Sequence, residues 1–318
     1  MTYQQNGNIL VTGCSGFIGS HLSSELIRRN YTVIGIDNLN DVLYSSELKI
    51  SRLLKLKKLS NFEFFEDDLL NFDFSKITKN LDYVINLAAL PGQSLSWSKF
   101  DTYIDYNIKT THKLLQFSID KNIKKFVQAS TSSVYGSLAV GDENTPTNPV
   151  SPYGISKLAS EKLIYTFNKY FNIDYIILRY FSVYGPSQRP DMAISKFIES
   201  MKKNEKIFIH GNGDQVRDFT YVDDIVNATI SAIESGCKNE IFNVSGGSQS
   251  SLINLVKMLQ KLLESNSELI FTDRPIGDQD KTSADISKAQ NLLNYYPKFN
   301  LDQGLRKQIQ EALFEKTS

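Results

Sequence analysis

Cysteine, histidine and net charge are all scarce in this sequence. Its 318 residues include two cysteines and three histidines, and 35 Lys and Arg residues balance 35 Asp and Glu residues. Two cysteines cannot form a disulfide framework or a Cys-based zinc site, and three scattered histidines are too few for a His-rich metal cluster. We therefore expect no metal. A net charge of zero gives no general attraction to nucleic acid or to anionic lipid, so we expect neither as a partner.

Long apolar runs are also missing. No run reaches the roughly 18 residues that a membrane span requires, and residues 1–6 lack the basic and then apolar order of a signal peptide. The low cysteine content is typical of a reducing compartment. We therefore expect a soluble, cytoplasmic protein with no membrane partner, long enough to form two lobes.

Short β-rich runs alternate with longer amphipathic segments, a pattern that predicts a parallel sheet with crossover helices. The predicted strands are residues 8–12, 31–37, 62–66, 83–87, 126–130 and 175–180. The alternation then weakens, with a helix near 192–203, strands near 207–209 and 216–220, a helix at 223–234 and a strand at 240–244. We predict a doubly wound α/β lobe over 1–180, to which 221–245 returns, and a smaller α/β carboxyl-terminal lobe from 181–220 and 246–318.

A glycine-rich turn follows the first predicted strand and opens a helix. Gly13, Gly16 and Gly19 are spaced GxxGxxG. Glycines allow a tight turn and a close approach of backbone N–H groups to a pyrophosphate, and the N-terminus of a helix favours negative charge. The turn therefore predicts dinucleotide binding by these glycines together with Phe17 and Ile18.

Asp37 ends the second predicted strand, 18 residues beyond Gly19. A carboxylate at this place can accept hydrogen bonds from the adenosine ribose hydroxyls and repels a 2′-phosphate, which favours NAD over NADP. The alternative is that Asp37 and Asn38 only cap a turn. The glycine loop that precedes them favours the cofactor interpretation.

Tyr153 and Lys157 are four residues apart near the start of a predicted helix, so they share one face. A lysine beside a tyrosine favours the phenolate, which can then act as a base. Thr131 and Ser132 follow the predicted strand 126–130, at the sheet edge where ligands bind. We predict that these four residues are catalytic. The alternatives are a surface Tyr-Lys pair and hydroxyls that only cap a turn.

Seven segments occur in an order that resembles the extended short-chain dehydrogenase/reductase family, and more narrowly its nucleotide-sugar epimerases. They are residues 13–19, 37, 86–89, 130–136, 153–157, 179–186 and 217–222, within a match from about residue 8 to about residue 305. The resemblance implies a Rossmann-type lobe that binds NAD, a smaller lobe that binds a UDP-sugar, and a homodimer.

The resemblance also implies roles for single residues. Besides Gly13 to Gly19, Asp37, Tyr153 and Lys157, the implied contacts of the cofactor are Asn38, Asp68, Leu69, Leu87, Ala88, Ala89, Asn107, Ser130 and Tyr180. The implied contacts of the substrate are Ser182, Arg189, Arg217, Arg274, Asp278 and Thr282.

The residues that follow Thr131 point to the reaction. The 4,6-dehydratases of the family carry an Asp-Glu pair there, because removal of water needs an acid and a base, whereas this chain has Ser132 and Ser133. What remains is oxidation and re-reduction of one alcohol carbon, which is the cycle of a C4 epimerase. A ketoreductase or lyase of the same fold, and a non-catalytic NAD-sensing module, are the alternatives.

Residues 185–193 and 37–41 resemble those of UDP-glucuronate 4-epimerases, which produce UDP-galacturonate. In that subgroup, Ser182 and Arg189 would face the carboxylate of the sugar through charge-assisted hydrogen bonds. Gln93 departs from the usual residue at its position, and the small side chain of Thr282 would admit an N-acetyl group. UDP-glucose and UDP-N-acetylglucosamine therefore stay open as substrates.

Overall fold

The structure is a computed structural model that describes residues 6–314. Its strands are β1 (Asn8–Thr12), β2 (Thr32–Asp37), β3 (Phe62–Glu66), β4 (Tyr83–Asn86), β5 (Lys125–Thr131), β6 (Leu138–Gly141), β7 (Tyr175–Tyr180), β8 (Val183–Tyr184), β9 (Ile207–His210), β10 (Val216–Tyr221), β11 (Glu240–Val244), β12 (Ser248–Ser251), β13 (Leu269–Thr272) and β14 (Lys281–Ala284).

The α-helices lie between these strands and after them. They are α1 (Phe17–Arg28), α2 (Ser46–Leu56), α3 (Gln93–Ser96), α4 (Phe100–Tyr103), α5 (Thr110–Ile119), α6 (Pro152–Phe171), α7 (Ala193–Lys202), α8 (Val222–Glu234), α9 (Leu252–Leu263), α10 (Ser287–Leu293) and α11 (Leu301–Phe314). A π-helical stretch, Ile104–Lys109, joins α4 to α5, and short 3₁₀ turns cover Phe74–Lys76 and Ser132–Tyr135.

The large sheet has seven strands in the order β11-β7-β5-β4-β1-β2-β3, all parallel. Every residue of β2 and β7 is buried, as expected when helices cover both faces of a sheet. The chain order reverses between β1 and β4, and ligands bind at such a switch point, beyond the carboxyl ends of the strands. The predicted doubly wound α/β fold is confirmed.

Strand boundaries differ from the prediction by one or two residues, for local reasons. Tyr31 was predicted in a strand, but its N–H donates to the carbonyl of Leu26 and closes the end of α1, so β2 begins at Thr32. The fifth strand extends beyond its predicted end to Thr131, because pairing with β7 continues to Tyr180.

A second sheet has the order β12-β10-β14-β6, with β8 beside β10, and β9 pairs with β13 separately. This sheet includes β6, which lies inside the span predicted for the first lobe. In the other direction, Ala289 and Leu293 of α10 pack into the core of the large sheet. The division into two lobes stays a prediction, and these two segments depart from it.

Within residues 6–314, no helix is long and apolar enough to cross a membrane. The same part of the chain contains no group of three or more His, Cys, Asp and Glu side chains that could hold a metal ion.

Candidate active site

A first cavity lies at the carboxyl edge of the large sheet and runs from the glycine loop to Tyr153. It is lined by every residue predicted to contact the cofactor except Asn107: Gly13, Gly16, Phe17, Ile18, Gly19, Asp37, Asn38, Asp68, Leu69, Leu87, Ala88, Ala89, Ser130, Tyr153, Lys157 and Tyr180. Residues separated by up to 167 positions in the sequence therefore share one wall.

Two glycines of the loop, Gly13 and Gly19, lie where a side chain would clash with neighbouring backbone. A Cβ added at Gly19 would lie 2.0 Å from the carbonyl oxygen of Gly13, and one added at Gly13 would lie 2.9 Å from the backbone nitrogen of Ala88. Gly13 has a φ of +68°, which L side chains rarely adopt. At the start of α1, Gly16 is the N-cap and supplies no side-chain cap. The loop and the uncapped helix end fit a dinucleotide pyrophosphate.

Asp37 holds the far side of this loop. Its carboxylate accepts hydrogen bonds from the backbone N–H of Ser15 (3.0 Å) and of Leu39 (2.9 Å). Next to it, the amide of Asn38 and the hydroxyl of Tyr106 both donate to Asp68 (3.0 and 3.2 Å). These contacts fix two carboxylates in the wall of the cavity, where each keeps acceptor capacity for a ligand.

Asn107 does not line the cavity, and its role as a contact of the cofactor stays a prediction. It lies in the π-helical stretch, is buried, and exchanges two hydrogen bonds with the backbone of Leu90 (2.7 and 3.1 Å). Its amide also donates to Ser156 (2.8 Å). Since Leu90 lines the cavity, Asn107 acts on the site by fixing Leu90.

Sequence reasoning missed several residues that line the first cavity. They include Leu43, Tyr44, Lys49, Pro91 and Tyr106. The Lys49 ammonium donates to the backbone carbonyl of Asn40 (2.7 Å), and burial lowers its pKa. Leu43, Tyr44 and Lys49 belong to no recognisable sequence motif. The signal that could have pointed to them is the amphipathic helix that follows Asp37.

Tyr153 and Lys157 lie on the first two turns of α6. Pro152 opens the helix, and the hydroxyl of Ser151 caps it by accepting from the N–H of Gly154 (3.2 Å). Burial lowers the pKa of Lys157 to about 8, and the charge of Glu161, one turn further on, opposes that shift. The ammonium group of Lys157 is therefore buried, beside Tyr153 on the same helix.

The pKa of Tyr153 is raised, contrary to the expectation that its surroundings favour the phenolate. Burial is the main cause, and a hydrogen bond with Thr131 and the charge of Arg189 act in the other direction. Tyr153 also packs edge-on against Tyr103, with ring centroids 6.2 Å apart. The side chains of this chain alone do not make the phenol acidic.

The predicted hydroxyls separate into two environments. Thr131 is the hydroxyl beside Tyr153 and also accepts from the N–H of Ser133 (3.1 Å). The hydroxyl of Ser132 donates instead to Gln279 (3.4 Å) and lines neither cavity described here. Thr131 does not line either cavity, so its support is the hydrogen bond with Tyr153, a contact that Ser132 does not make.

A buried ion pair behind Lys157 was missed by sequence reasoning. Glu161 and Arg179 pair at 2.7 Å, with 2% and 5% of their side chains exposed. Ser130 donates to Glu161 (2.5 Å), and Arg179 donates to Tyr135 (2.8 Å). Fully partnered buried groups of this kind hold neighbouring backbone segments in a single arrangement. The pair therefore joins β5, β7 and α6 directly beneath the site.

A second cavity is lined by three of the predicted substrate residues, Ser182, Arg217 and Asp278. Arg217 binds Asp278 at 2.6 Å, and burial lowers the pKa of Arg217. Arg274 contacts Asp278 from outside (3.4 Å) and does not line the cavity.

Thr282 does not line this cavity, and its role in setting sugar size stays a prediction. It is fully buried in β14, and its hydroxyl accepts from the backbone N–H of Asp218 (2.8 Å). Pairing of β14 with β10 and β6 turns the side chain into the protein interior. Gln93, in contrast, does line the cavity, and its amide donates to Ser133 (3.1 Å).

Arg189 lines the first cavity with Tyr153 and Lys157, while its partner Asp191 lines the second. Asp278 and Asp191, the carboxylates in the wall of the second cavity, are thus each paired with an arginine. Together with Ser132 and Ser133 after Thr131, this leaves no free acid in that wall for removal of water.

The sequence of residues 9–245 matches a family described as the NAD dependent epimerase/dehydratase family. This chain belongs to that family. Its members include both reactions considered above, so the family by itself does not choose between them. The predicted kinship with the nucleotide-sugar epimerases is confirmed, and NAD is the cofactor that the family name carries.

Two curated relatives of this epimerase/dehydratase family member are each 39% identical to it. One is the UDP-glucuronate 4-epimerase of Thermodesulfobacterium geofontis, matched over 95% of both chains. The other is the uncharacterized UDP-glucose epimerase YtcB of Bacillus subtilis, matched over 95% of this chain and 96% of the relative.

The epimerase/dehydratase fold is also shared with a solved structure. The UDP-glucuronic acid 4-epimerase of Bacillus cereus, in complex with UDP-glucuronic acid and NAD, is 40% identical and superposes with a TM-score of 0.94. The match covers 97% of this chain and 99% of the other.

Proposed function

We propose that this chain is a UDP-glucuronate 4-epimerase that binds NAD and interconverts UDP-glucuronate and UDP-galacturonate. The observation that carries the proposal is one shared wall: Tyr153, Lys157 and Arg189 line the same cavity as the glycine loop. The two UDP-glucuronate 4-epimerases described above support it, since each matches nearly the whole chain.

The cofactor would lie along the first cavity. The glycine loop would hold the pyrophosphate, Asp37 the adenosine ribose, and Lys157 the ribose beside the nicotinamide. When bound, NAD⁺ would supply a reversible acceptor for the hydride of the sugar carbon and a positive charge beside the phenol.

Tyr153 takes the proton of the C4 hydroxyl and later gives it back, and Thr131 holds that hydroxyl through its own. Because burial raises the pKa of Tyr153, its deprotonation depends on positive charge nearby. Arg189, which lines the same cavity, supplies part of that charge. Reversal of the stereocentre requires the oxidised sugar to turn over before the proton and the hydride return.

The smaller lobe would hold the nucleotide. Arg217 and Arg274 flank Asp278 at 2.6 and 3.4 Å, so two guanidinium groups are available for a diphosphate and Asp278 for a ribose hydroxyl. Ser182 and Arg189 would face the carboxylate of the sugar. A carboxylate held firmly resists loss of CO₂ from the keto intermediate, because decarboxylation needs that group aligned with the ketone.

The test is incubation of the purified protein with NAD and, separately, UDP-glucuronate, UDP-glucose and UDP-N-acetylglucosamine, followed by separation of the C4 epimers. We expect UDP-galacturonate from UDP-glucuronate, at a kcat/KM well above that for the two neutral sugars. No net NADH should accumulate. Faster turnover of a neutral sugar would contradict the assigned substrate, and stoichiometric consumption of NADPH would identify a reductase.

We also propose a homodimer and a cytoplasmic location. Exposed apolar side chains on α5 and α6, among them Ile119, Tyr165 and Tyr170, support an interface there. Cys14 and Cys237 are both free thiols, which fits a reducing compartment. Light scattering at micromolar concentration tests the dimer, and a monomeric mass would contradict it.

A further inference from the structure

Arg189 and Asp191 form a bidentate ion pair two residues apart, between β8 and α7. The Arg189 Nε donates to one carboxylate oxygen of Asp191 (2.9 Å), and Nη2 donates to the other (2.7 Å). Only 12% of the Arg189 side chain is exposed. A two-point contact of this kind fixes the plane of the guanidinium as well as its position.

The pair lies between the two cavities. No residue lines both cavities, but Arg189 is in the wall of the first and Asp191 is in the wall of the second. The positive charge of Arg189 also acts on Tyr153, where it opposes the rise in pKa that burial causes. The guanidinium is thus close enough to the proposed base to act on its pKa, and its partner Asp191 lines the cavity proposed for the nucleotide-sugar.

The hydrogen bonds of Arg189 leave one nitrogen available. Nε and Nη2 bind Asp191, and Nη2 also contacts the sulfur of Met192 (3.6 Å). Among the described residues, Nη1 has no hydrogen-bond partner. A guanidinium carries two N–H groups on that nitrogen. The Asp191 contact therefore presents Nη1 as a pre-oriented pair of donors.

The loop that carries the pair is anchored from three directions. The His21 ring contacts the carbonyl of Pro186 (3.0 Å), and Arg52 donates to the carbonyl of Ser187 (2.5 Å). Glu311 of α11 accepts hydrogen bonds from both the hydroxyl and the N–H of Ser187. Helices α1, α2 and α11 thus hold the start of the loop, which restricts movement of the Arg189–Asp191 ion pair.

We propose that Asp191 is a positioning residue that gives the enzyme its preference for an acidic sugar. It holds the Nε–Nη2 edge of Arg189 and directs Nη1 toward the carboxylate of the substrate. Since the ion pair has no net charge, selection depends on oriented donors more than on a free positive charge. This inference rests on the proposed reaction with UDP-glucuronate.

The experiment compares Asp191→Ala and Asp191→Asn with the unchanged enzyme, on UDP-glucuronate and on UDP-glucose. Loss of one oriented, charge-assisted contact predicts a KM for UDP-glucuronate raised roughly 10- to 100-fold in Asp191→Ala, with little change for UDP-glucose. Asp191→Asn keeps an oxygen that can accept from Nε, so it should recover part of the loss. Asp302→Ala is the matched control, because it removes the acid of the surface pair with Arg306 (2.7 Å).

Three results would overturn the inference while leaving the proposed function in place. Tighter binding of UDP-glucuronate by Asp191→Ala would show that Asp191 competes with the substrate for Arg189. Equal losses with both sugars would show a general structural role, and unchanged kinetics would show no role. Failure of the unchanged enzyme to epimerise UDP-glucuronate would instead contradict the proposed function.

Discussion

The backbone N–H of Ser15, inside the glycine loop, donates a 3.0 Å hydrogen bond to the carboxylate of Asp37 at the end of β2. The two predicted parts of the cofactor site are therefore in direct contact. The same carboxylate accepts from the N–H of Leu39 (2.9 Å), so Asp37 shapes two backbone segments as well as facing the cavity.

Asp37 should determine the choice of cofactor. We expect NAD to bind far more tightly than NADP, because a 2′-phosphate would meet this carboxylate. Asp37→Asn should weaken the binding of NAD by about 10-fold, in line with loss of a hydrogen bond to a charged acceptor. It should also reduce the preference for NAD over NADP. Calorimetric titration of cofactor-free protein measures both values, and equal affinities in the unchanged protein would contradict the assignment.

Gly19 should tolerate no side chain. Gly19→Ala places a Cβ 2.0 Å from the Gly13 carbonyl, so the loop must shift, and we expect loss of NAD binding and a lower melting temperature. Gly236→Ala is the matched control, since a Cβ there meets nothing within 4 Å. Thermal unfolding with and without NAD distinguishes the two variants. Equal NAD binding by both would show that the loop does not hold the cofactor.

Tyr153→Phe should lower kcat by at least about 100-fold, the size of effect typical of a lost general base. Binding of NAD should change little, because the glycine loop and Asp37 remain. Turnover is measured with UDP-glucuronate, and NAD content by spectroscopy of the purified variant. Near-normal turnover would remove Tyr153 from the mechanism.

Arg189→Ala should damage turnover of UDP-glucuronate far more than that of UDP-glucose, because only the acidic sugar has a carboxylate for the guanidinium to bind. A smaller loss should be common to both sugars, since the charge of Arg189 also lowers the pKa of Tyr153. Arg306→Ala is the control, since Arg306 lies on the surface of α11 in an ion pair with Asp302. Kinetics on both sugars provide the measurement. A similar loss with each sugar would exclude a carboxylate contact.

Lys157→Met should abolish turnover and stabilise the fold by about 1 kcal/mol at pH 7, because it removes a buried charge. The pKa of Lys157 is lowered to about 8 in the folded protein, below the usual value of about 10.4. Between those values the unfolded chain binds more protons, so the stability of the unchanged protein rises with pH.

The advantage of Lys157→Met should therefore shrink between pH 8 and about pH 10. Denaturant unfolding of both proteins at several pH values measures the difference. An advantage that stays constant across this range would show that Lys157 does not titrate there.

The sequence predicted features that depend on neighbours in the chain. The glycine loop follows from spacing and from the absence of a Cβ, and the position of Tyr153 and Lys157 follows from Pro152 and the Ser151 cap. The parallel, doubly wound class of the large sheet follows from the alternation of strands and helices along the chain. The loop and the Tyr-Lys pair have their physical cause within a few residues.

Other features depend on contacts between distant segments, which local patterns do not encode. Thr282 is turned inward by pairing of β14 with β6, and the π-helical stretch aims Asn107 at Leu90. The burial that raises the pKa of Tyr153 comes from packing against other elements. Only the tertiary structure could assign these roles.

The sequence by itself therefore determined the fold class, the cofactor loop and the Tyr-Lys pair, because glycine geometry, helix capping and i,i+4 spacing act locally. The tertiary structure decided the burial, the ion pairing and the pKa shifts of the residues in those parts. It placed Arg189 and Asp191 in the walls of different cavities and paired Glu161 with Arg179 beneath Lys157. Burial and ion pairing arise only when separate strands and helices pack together.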